Sequence, residues 1–200
     1  SEESAGAGHY LETGENISDD TLQRLFGDAY DSILKAPAGL PSVRSADGTE
    51  AGGYSGKLRT GMDLYANVRA IRLVPGVESP LRNTPHGIDY IIVRENTEGL
   101  YASRRKGVGT NDAMVDSMFM SRTAVERVSR YAFELARKRS GAPADGIRRV
   151  TCVDKANVLQ SFAFFRRVFT EVAAEYPDIA HEYIHSDAAA QELILDPGHY

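Results

Sequence analysis

The sequence predicts an α/β fold, and three observations carry that prediction. Short apolar, β-branched runs such as Ile88-Asp89-Tyr90-Ile91-Ile92-Val93 and Val150-Thr151-Cys152-Val153 alternate with long amphipathic stretches. The length of 200 residues is enough to bury a core without disulfide or metal staples. Apolar residues at 42% and charged residues at 26% are globular proportions, which exclude a fibrous or disordered chain.

The elements follow in order. Ser18, then Asp19 and Asp20, reads as an N-cap with acids in the first turn of a short helix that runs through Leu25 and stops at Gly27. Residues 31–35 are a candidate strand cut off by Pro37, and 38–56, rich in Gly, Pro, Ser and Asp, read as a long surface loop. The spacing of Leu58, Met62 and Tyr65 predicts a helix over 57–68, and the alternation over 70–74 a strand ended by Pro75-Gly76. The nearly all-apolar run 88–93 suits a strand covered on both faces. Residues 110–120 have no clean period and carry Met114, Met118, Phe119 and Met120; an arm, a lid or a partner surface explains them. Ser121 caps the clearest helix, with Val125, Val128, Ala132 and Leu135 on one face, Lys138 and Arg139 in the last turn and Gly141 beyond. Residues 150–153 read as a strand. Val158, Phe162, Phe165, Phe169 and Val172 mark a helix ended by Pro177, 181–185 a strand, and 188–195 a helix before Pro197.

Composition narrows the function. The 23 Lys and Arg against 28 Asp and Glu leave a net charge of −5, which excludes a nucleic-acid binder that works by bulk basicity. A single cysteine, Cys152, cannot form an internal disulfide, so a reducing compartment is expected. No apolar run has a membrane-spanning length, and the polar start is no signal peptide, so a cytoplasmic protein without membrane or nucleic-acid partners is expected. Several motifs fail. Gly6-Ala7-Gly8 lacks the preceding strand of a dinucleotide fingerprint, with Leu11 at its last glycine position. The phosphate-loop-like run 52–57 has Ala51 at the first glycine position and Leu58 in place of the metal-binding hydroxyl. Asn16-Ile17-Ser18 fits a glycosylation acceptor without a secretory context. The five histidines are scattered, and no Gly-x-Ser-x-Gly elbow exists.

What survives is a set of polar residues at the ends of predicted elements. Arg59 and Arg69 flank the helix predicted around Asp63-Leu64-Tyr65-Ala66-Asn67. Arg94 ends the buried run and Tyr101 follows it; Asp154-Lys155-Ala156-Asn157 ends the next strand and opens a helix, and Asp187 does the same after the last. Ligands of open α/β sheets bind where carboxyl ends of strands meet helix starts. Singly these residues are ordinary. Most arginines are solvated surface charges, a lone lysine usually lies on the surface, and Asp187 alone reads as a helix N-cap.

Together they resemble a family. The segments Leu64-Tyr65-Ala66-Asn67-Val68-Arg69, Ile92-Val93-Arg94-Glu95-Asn96-Thr97-Glu98-Gly99-Leu100-Tyr101, Asp154-Lys155-Ala156-Asn157-Val158 and Ser186-Asp187-Ala188-Ala189-Ala190 closely resemble the isocitrate/isopropylmalate dehydrogenase family. These are metal-dependent β-decarboxylating dehydrogenases, tartrate and malate enzymes included. The motifs stand in family order and cover nearly the whole chain.

The resemblance implies an isocitrate/isopropylmalate dehydrogenase-like α/β fold, incomplete at both ends. Residues 1–64 would belong to the larger, cofactor-side domain. Residues 65–200 would form the smaller substrate and dimerisation domain, with a clasp arm near 107–120. It also implies an NAD(P)-dependent oxidoreductase that oxidises a 2-hydroxy acid bearing a β-carboxylate and releases carbon dioxide, with Mg²⁺ or Mn²⁺ as cofactor. Arg59, Arg69 and Arg94 would be the forks for substrate carboxylates, where each charge-assisted bond contributes about 1.5–3 kcal/mol. Lys155 would take the hydroxyl proton, Tyr101 would protonate the enol carbon, Asp187 would be a metal ligand, and Asn157 would touch substrate or the nicotinamide end of NAD or NADP. The partners implied are a small hydroxy-diacid or hydroxy-triacid and a second copy in a homodimer with shared active sites.

Three departures qualify the resemblance. The family's opening strand and Gly-rich turn are not in the chain, and neither are its remaining metal aspartates and most of its adenosine-binding loop. An inactive fragment or non-catalytic subunit is therefore the alternative reading, and the 200 residues alone are not expected to turn over. Where isopropylmalate enzymes carry leucines before the first arginine, this chain reads Tyr54-Ser55-Gly56-Lys57-Leu58, which suits a polar substituent, as in isocitrate, malate or tartrate, better than an isopropyl group.

Overall fold

The computed structural model of the chain describes every residue except Gly52 and Arg105, so the first residue of the phosphate-loop-like run lies outside the described residues. The chain divides into two compact units, Ser1–Leu64 and Tyr65–Tyr200.

The first unit is helical, with α1 Ala7–Thr13, α2 Asp19–Phe26 and α3 Ser55–Gly61. Gly6 starts α1 at a φ of 97°, where a Cβ would meet the Ala38 carbonyl oxygen at 2.6 Å. The glycine therefore serves a close backbone approach, in which the Ala7 N–H donates to Ala38 O at 2.8 Å. Helix α2 forms as its cap predicts: Ser18 Oγ accepts from the Thr21 N–H at 3.1 Å. Ile17, Leu22, Leu25, Tyr54 and Leu58 make the core.

Two expectations are corrected here. Residues 31–35 form no strand. Among the described residues they join no β-ladder, and Leu34 is fully exposed, so neither burial nor a ladder holds them extended. The helix expected over 57–68 ends at Gly61, because Asp63 takes the left-handed region at φ 45° and turns the chain.

In the second unit, β1 Ala66–Arg72 pairs antiparallel with β2 Asp89–Glu95, β3 Val108–Gly109 with β4 Met114–Val115, and β5 Arg149–Asp154 parallel with β6 Ala180–His185. The helices are α4 Arg122–Arg137, α5 Gln160–Ala173 and α6 Ser186–Leu195, followed by a 3-10 turn at Pro197–His199. Arg69 thus lies on a strand, β1, and does not flank a helix. The strand expected over 70–74 begins earlier, at Ala66. Strand β2 is not covered on both faces, since Ile92 is exposed. Val158 precedes α5 and is exposed, so it does not belong to that helix's apolar face. The 110–120 stretch holds the second strand of the exposed hairpin β3–β4, with Val108, Met114 and Val115 open to solvent.

A parallel pair needs a crossover, and α5 is the element between β5 and β6. It packs with α4 around Phe133, Phe169, Val172, Tyr176 and Ile179. The Phe133 ring stacks on Tyr176 at 4.8 Å and sits 5.3 Å from Phe169. Cys152 is buried against the same cluster, and burial pushes its thiol up, so it stays protonated. No helix among the described residues is long and apolar enough to cross a membrane.

One pH dependence follows from the first unit. Arg24 donates to Glu3 at 2.7 Å and 3.0 Å, and Tyr30 OH donates at 2.7 Å. These bonds, Arg24's first, hold the Glu3 carboxyl at about 2 against its ordinary 4.5. A depressed carboxylate stabilises the fold above its unfolded value and loses that contribution as pH falls through the folded one. Between pH 4.5 and about 2, Glu3→Gln should lose stability less steeply than the wild type in thermal unfolding. Superimposable pH profiles would show that the clamp contributes nothing to the acid limb.

Candidate active site

The antiparallel register sets the cationic side of the site. Asn67 faces Arg94 and Arg69 faces Ile92, so Asn67, Arg69 and Arg94 share one face of the β1–β2 ribbon, with the two arginines diagonal neighbours. Each guanidinium is steadied by an asparagine: Arg69 Nε donates to Asn67 Oδ1 at 3.0 Å, and Arg94 Nη2 to Asn96 Oδ1 at 2.9 Å. Arg69 is exposed and Arg94 half-buried. The Nε–H of Arg94 is buried and meets no acceptor among the described residues. A buried donor left unmatched is costly, which makes this group a ready partner for an anion.

The loop after β2 carries Tyr101 and is tied down at several points. Glu95 accepts the Thr97 N–H at 3.0 Å and the Glu98 N–H at 2.6 Å. Glu98 accepts the Ser121 N–H at 2.6 Å and its hydroxyl at 2.7 Å, while Ser121 Oγ caps α4 through the Ala124 N–H at 3.1 Å. Gly99, at φ 69°, forms a bridge with Phe119. Arg127, from α4, donates to Thr97 Oγ1 at 3.0 Å and lies 4.7 Å above the Tyr65 ring. The result is a loop that presents the exposed Tyr101 ring beneath Arg94, whose guanidinium carbon is 5.4 Å from the ring centre.

The second group of residues stands at the carboxyl ends of β5 and β6. Asp154 and His185 are register partners, so Lys155 follows one strand and Asp187 the other. Lys155 Nζ donates to Asp187 Oδ1 at 2.5 Å. That bond, with backbone N–H groups at the start of α6, holds the Asp187 carboxyl below its ordinary range, so it is charged at neutral pH. Asp187 is not the helix N-cap; that position is His185, and Asp187 sits in the first turn with its side chain turned to the lysine. Asn157 is exposed in the turn before α5. Among the described residues no three His, Cys, Asp or Glu side chains form a metal-sized group. Asp187, 70% exposed at its side chain, offers carboxylate oxygens of the kind a magnesium-type ion takes.

Of the expected residues, the structure puts Arg69 and Arg94 on one face of the β1–β2 ribbon, sets Tyr101 beneath Arg94, and pairs Lys155 with Asp187. Arg59 belongs to the other unit, half-buried at the end of α3. Sequence reasoning assigned no part to Asn67, Asn96, Glu98 or Asp154. All four stand inside the quoted motifs; the two-residue offset of Asn67 and Asn96 from an arginine, and the three-residue offset of Glu98 from Glu95, are the signals that could have marked the first three.

Known proteins resemble nearly the whole of this chain. The model of the isocitrate/isopropylmalate dehydrogenase family matches residues 1–200. The chain is 41% identical over 203 residues to the 3-isopropylmalate dehydrogenase of Clavibacter michiganensis, covering 98% of this chain and 54% of that protein. Among solved structures, a protein from Thermus thermophilus matches with a TM-score of 0.77 at 31% identity, over 98% of this chain and 37% of that one. The isocitrate dehydrogenase of Methylococcus capsulatus matches with a TM-score of 0.71 at 29% identity, over 98% and 54%. The chain spans about half the length of the curated relatives it matches. Family model, relatives and fold coincide: the chain belongs to the isocitrate/isopropylmalate dehydrogenase family.

Proposed function

We propose that this chain is the substrate-side part of an NAD(P)- and divalent-metal-dependent dehydrogenase, which oxidises a 2-hydroxy acid bearing a β-carboxylate and releases carbon dioxide. The observation that carries the reading is the Lys155–Asp187 contact at 2.5 Å, at the ends of paired parallel strands. It sets the Lys155 amine beside a carboxylate able to take a cation.

In this reading Arg59, Arg69 and Arg94 bind the substrate carboxylates, and the unmatched Arg94 Nε–H gains its acceptor. Lys155 removes the proton of the substrate hydroxyl as the adjacent C–H hydride leaves. The carbon–carboxylate bond then breaks, and Tyr101 delivers a proton to the enol carbon. Asp187 would hold a divalent ion, which would supply positive charge beside the substrate's oxygens. Asn157, exposed in the turn before α5, would touch the substrate or the nicotinamide end of NAD(P), and that cofactor would supply the acceptor for the hydride. Two copies share each site in a homodimer, with the exposed apolar hairpin β3–β4 as the clasp. The substrate carries a polar substituent: Tyr54 and Leu58 are buried in the first unit's own core, leaving Ser55 and Lys57 exposed before Arg59. The names of the relatives favour an isopropyl group instead, and a panel of isocitrate, malate, tartrate and isopropylmalate decides between them.

The full-length polypeptide, assayed with Mn²⁺, NAD or NADP and that panel, should reduce the cofactor. No turnover on any member would support the alternative, a non-catalytic subunit. Lys155→Met should abolish cofactor reduction while substrate affinity by calorimetry stays within about threefold. Wild-type turnover in this variant would remove the lysine's role. Tyr101→Phe should slow decarboxylation more than reduction of the matching keto acid, and equal losses would count against the tyrosine as proton donor.

A further inference from the structure

Among the described residues of the second unit, Asp154 is the one carboxylate with no solvent exposure, at the end of β5 and directly before Lys155. Burial pushes its carboxyl up, but the bonds from Arg166 and a backbone N–H prevail and hold it below its ordinary range, so it is a buried anion. Taking a carboxylate out of water is unfavourable unless it is paired, and ending a strand requires no charge. Its contacts show what the charge is there to join.

Arg166, from α5, grips the carboxylate with both arms of its fork, Nε to Oδ2 at 2.7 Å and Nη2 to Oδ1 at 2.8 Å. The Ala156 N–H donates to Oδ1 at 2.8 Å, closing an Asx turn around Lys155. Val158 and Leu159 N–H groups both donate to the Lys155 carbonyl at 3.0 Å, so the lysine's backbone is fixed on either side. The Cys152 thiol points at Oδ2 from 3.6 Å. Across the strand pair, His185 Nδ1 lies 3.4 Å from Oδ1, two residues before Asp187. Arg166 is itself placed against β6, 5.1 Å from the Tyr183 ring centre. One carboxylate therefore touches the residue after Lys155, the residue opposite it in the register, and the helix that bridges the strands.

We infer that Asp154 and Arg166 are a positioning pair that holds Lys155 beside Asp187 at the ends of β5 and β6. The consequence for turnover rests on the function proposed above; the geometric part does not. Asp154 and Arg166 touch no reacting atom and act through Lys155. Asparagine at 154 keeps an oxygen for the Ala156 N–H but cannot accept both arms of Arg166. Lysine at 166 keeps the charge and loses the fork.

The test compares wild type, Asp154→Asn, Arg166→Lys, Lys155→Met and the Asp154→Asn/Lys155→Met double variant in the full-length polypeptide. Asp154→Asn should lower kcat on the order of 10²-fold, the size of effect a misplacement of about 1 Å produces, with KM within about twofold. In the Lys155→Met background, where cofactor reduction is lost, the same change should leave substrate affinity by calorimetry unaltered, because the group it positions is gone. A merely structural role would lower turnover in the first background and affinity in the second, in step with thermal stability, and that result overturns the inference. Should Asp154→Asn not fold, Arg166→Lys carries the same comparison. Should the wild type not turn over, the functional reading fails by itself. The positioning pair is then judged by crystal structures of wild type and Arg166→Lys: a Lys155 Nζ that leaves Asp187 in the variant supports it, and an unmoved lysine overturns it.

Discussion

The parallel pairing of β5 with β6, in a register that puts Asp154 beside His185, is the constraint on which the rest of the site depends. Parallel strands end on the same side, so the residues that follow them emerge together. Lys155 and Asp187 are 32 positions apart in sequence, and their contact is a consequence of that register. A slip of one residue would turn every side chain of a strand to the opposite face and separate the pair. What prevents the slip is the core beneath: Cys152 packs on Phe133 and Phe169, and helix α5 is held between α4 and the strands by Val172, Tyr176 and Ile179.

The arginine side is built by a different device. An antiparallel ribbon alternates its faces, and Arg69 and Arg94 land on one face because the register pairs Asn67 with Arg94. Like charges that close repel, and the chain offsets this with neutral amide oxygens from Asn67 and Asn96. A carboxylate partner would neutralise the guanidinium groups internally, whereas asparagines orient them and leave their charge in place. The loop that follows uses its acids on backbone N–H groups and on the Ser121 cap, which fixes Tyr101 in place.

Much of this was legible beforehand, and the reasons differ by element. Helix α4 has a serine cap, an apolar stripe at helical period and a glycine just beyond, all of which are local signals, and it spans Arg122–Arg137. The segment 57–68 misled because Leu58, Met62 and Tyr65 imitate a helical period. The break is made by Asp63 in a left-handed turn, and a single aspartate gives little warning of that. Residues 31–35 had strand-like composition and no partner strand, and pairing is invisible to composition. In the site, the motif residues Lys155, Asp187, Arg69, Arg94 and Tyr101 could be picked out by type and spacing. Asp154 could not. Its importance lies in Arg166 twelve positions away on α5 and in His185 on another strand, contacts that only the tertiary fold creates.

We propose that in the homodimer the arginines of one protomer and the lysine and aspartate of its twin complete each shared site. Mixing tests it most directly. An Arg94→Ala homodimer and a Lys155→Met homodimer of the full-length polypeptide, each inactive, are unfolded together, refolded and assayed. Random reassociation makes about half the dimers hybrid, each with one undamaged site, so recovery of about a quarter of wild-type turnover is expected. Sites made within single subunits would leave every hybrid with two damaged sites, and a mixture as inactive as its components would contradict the claim.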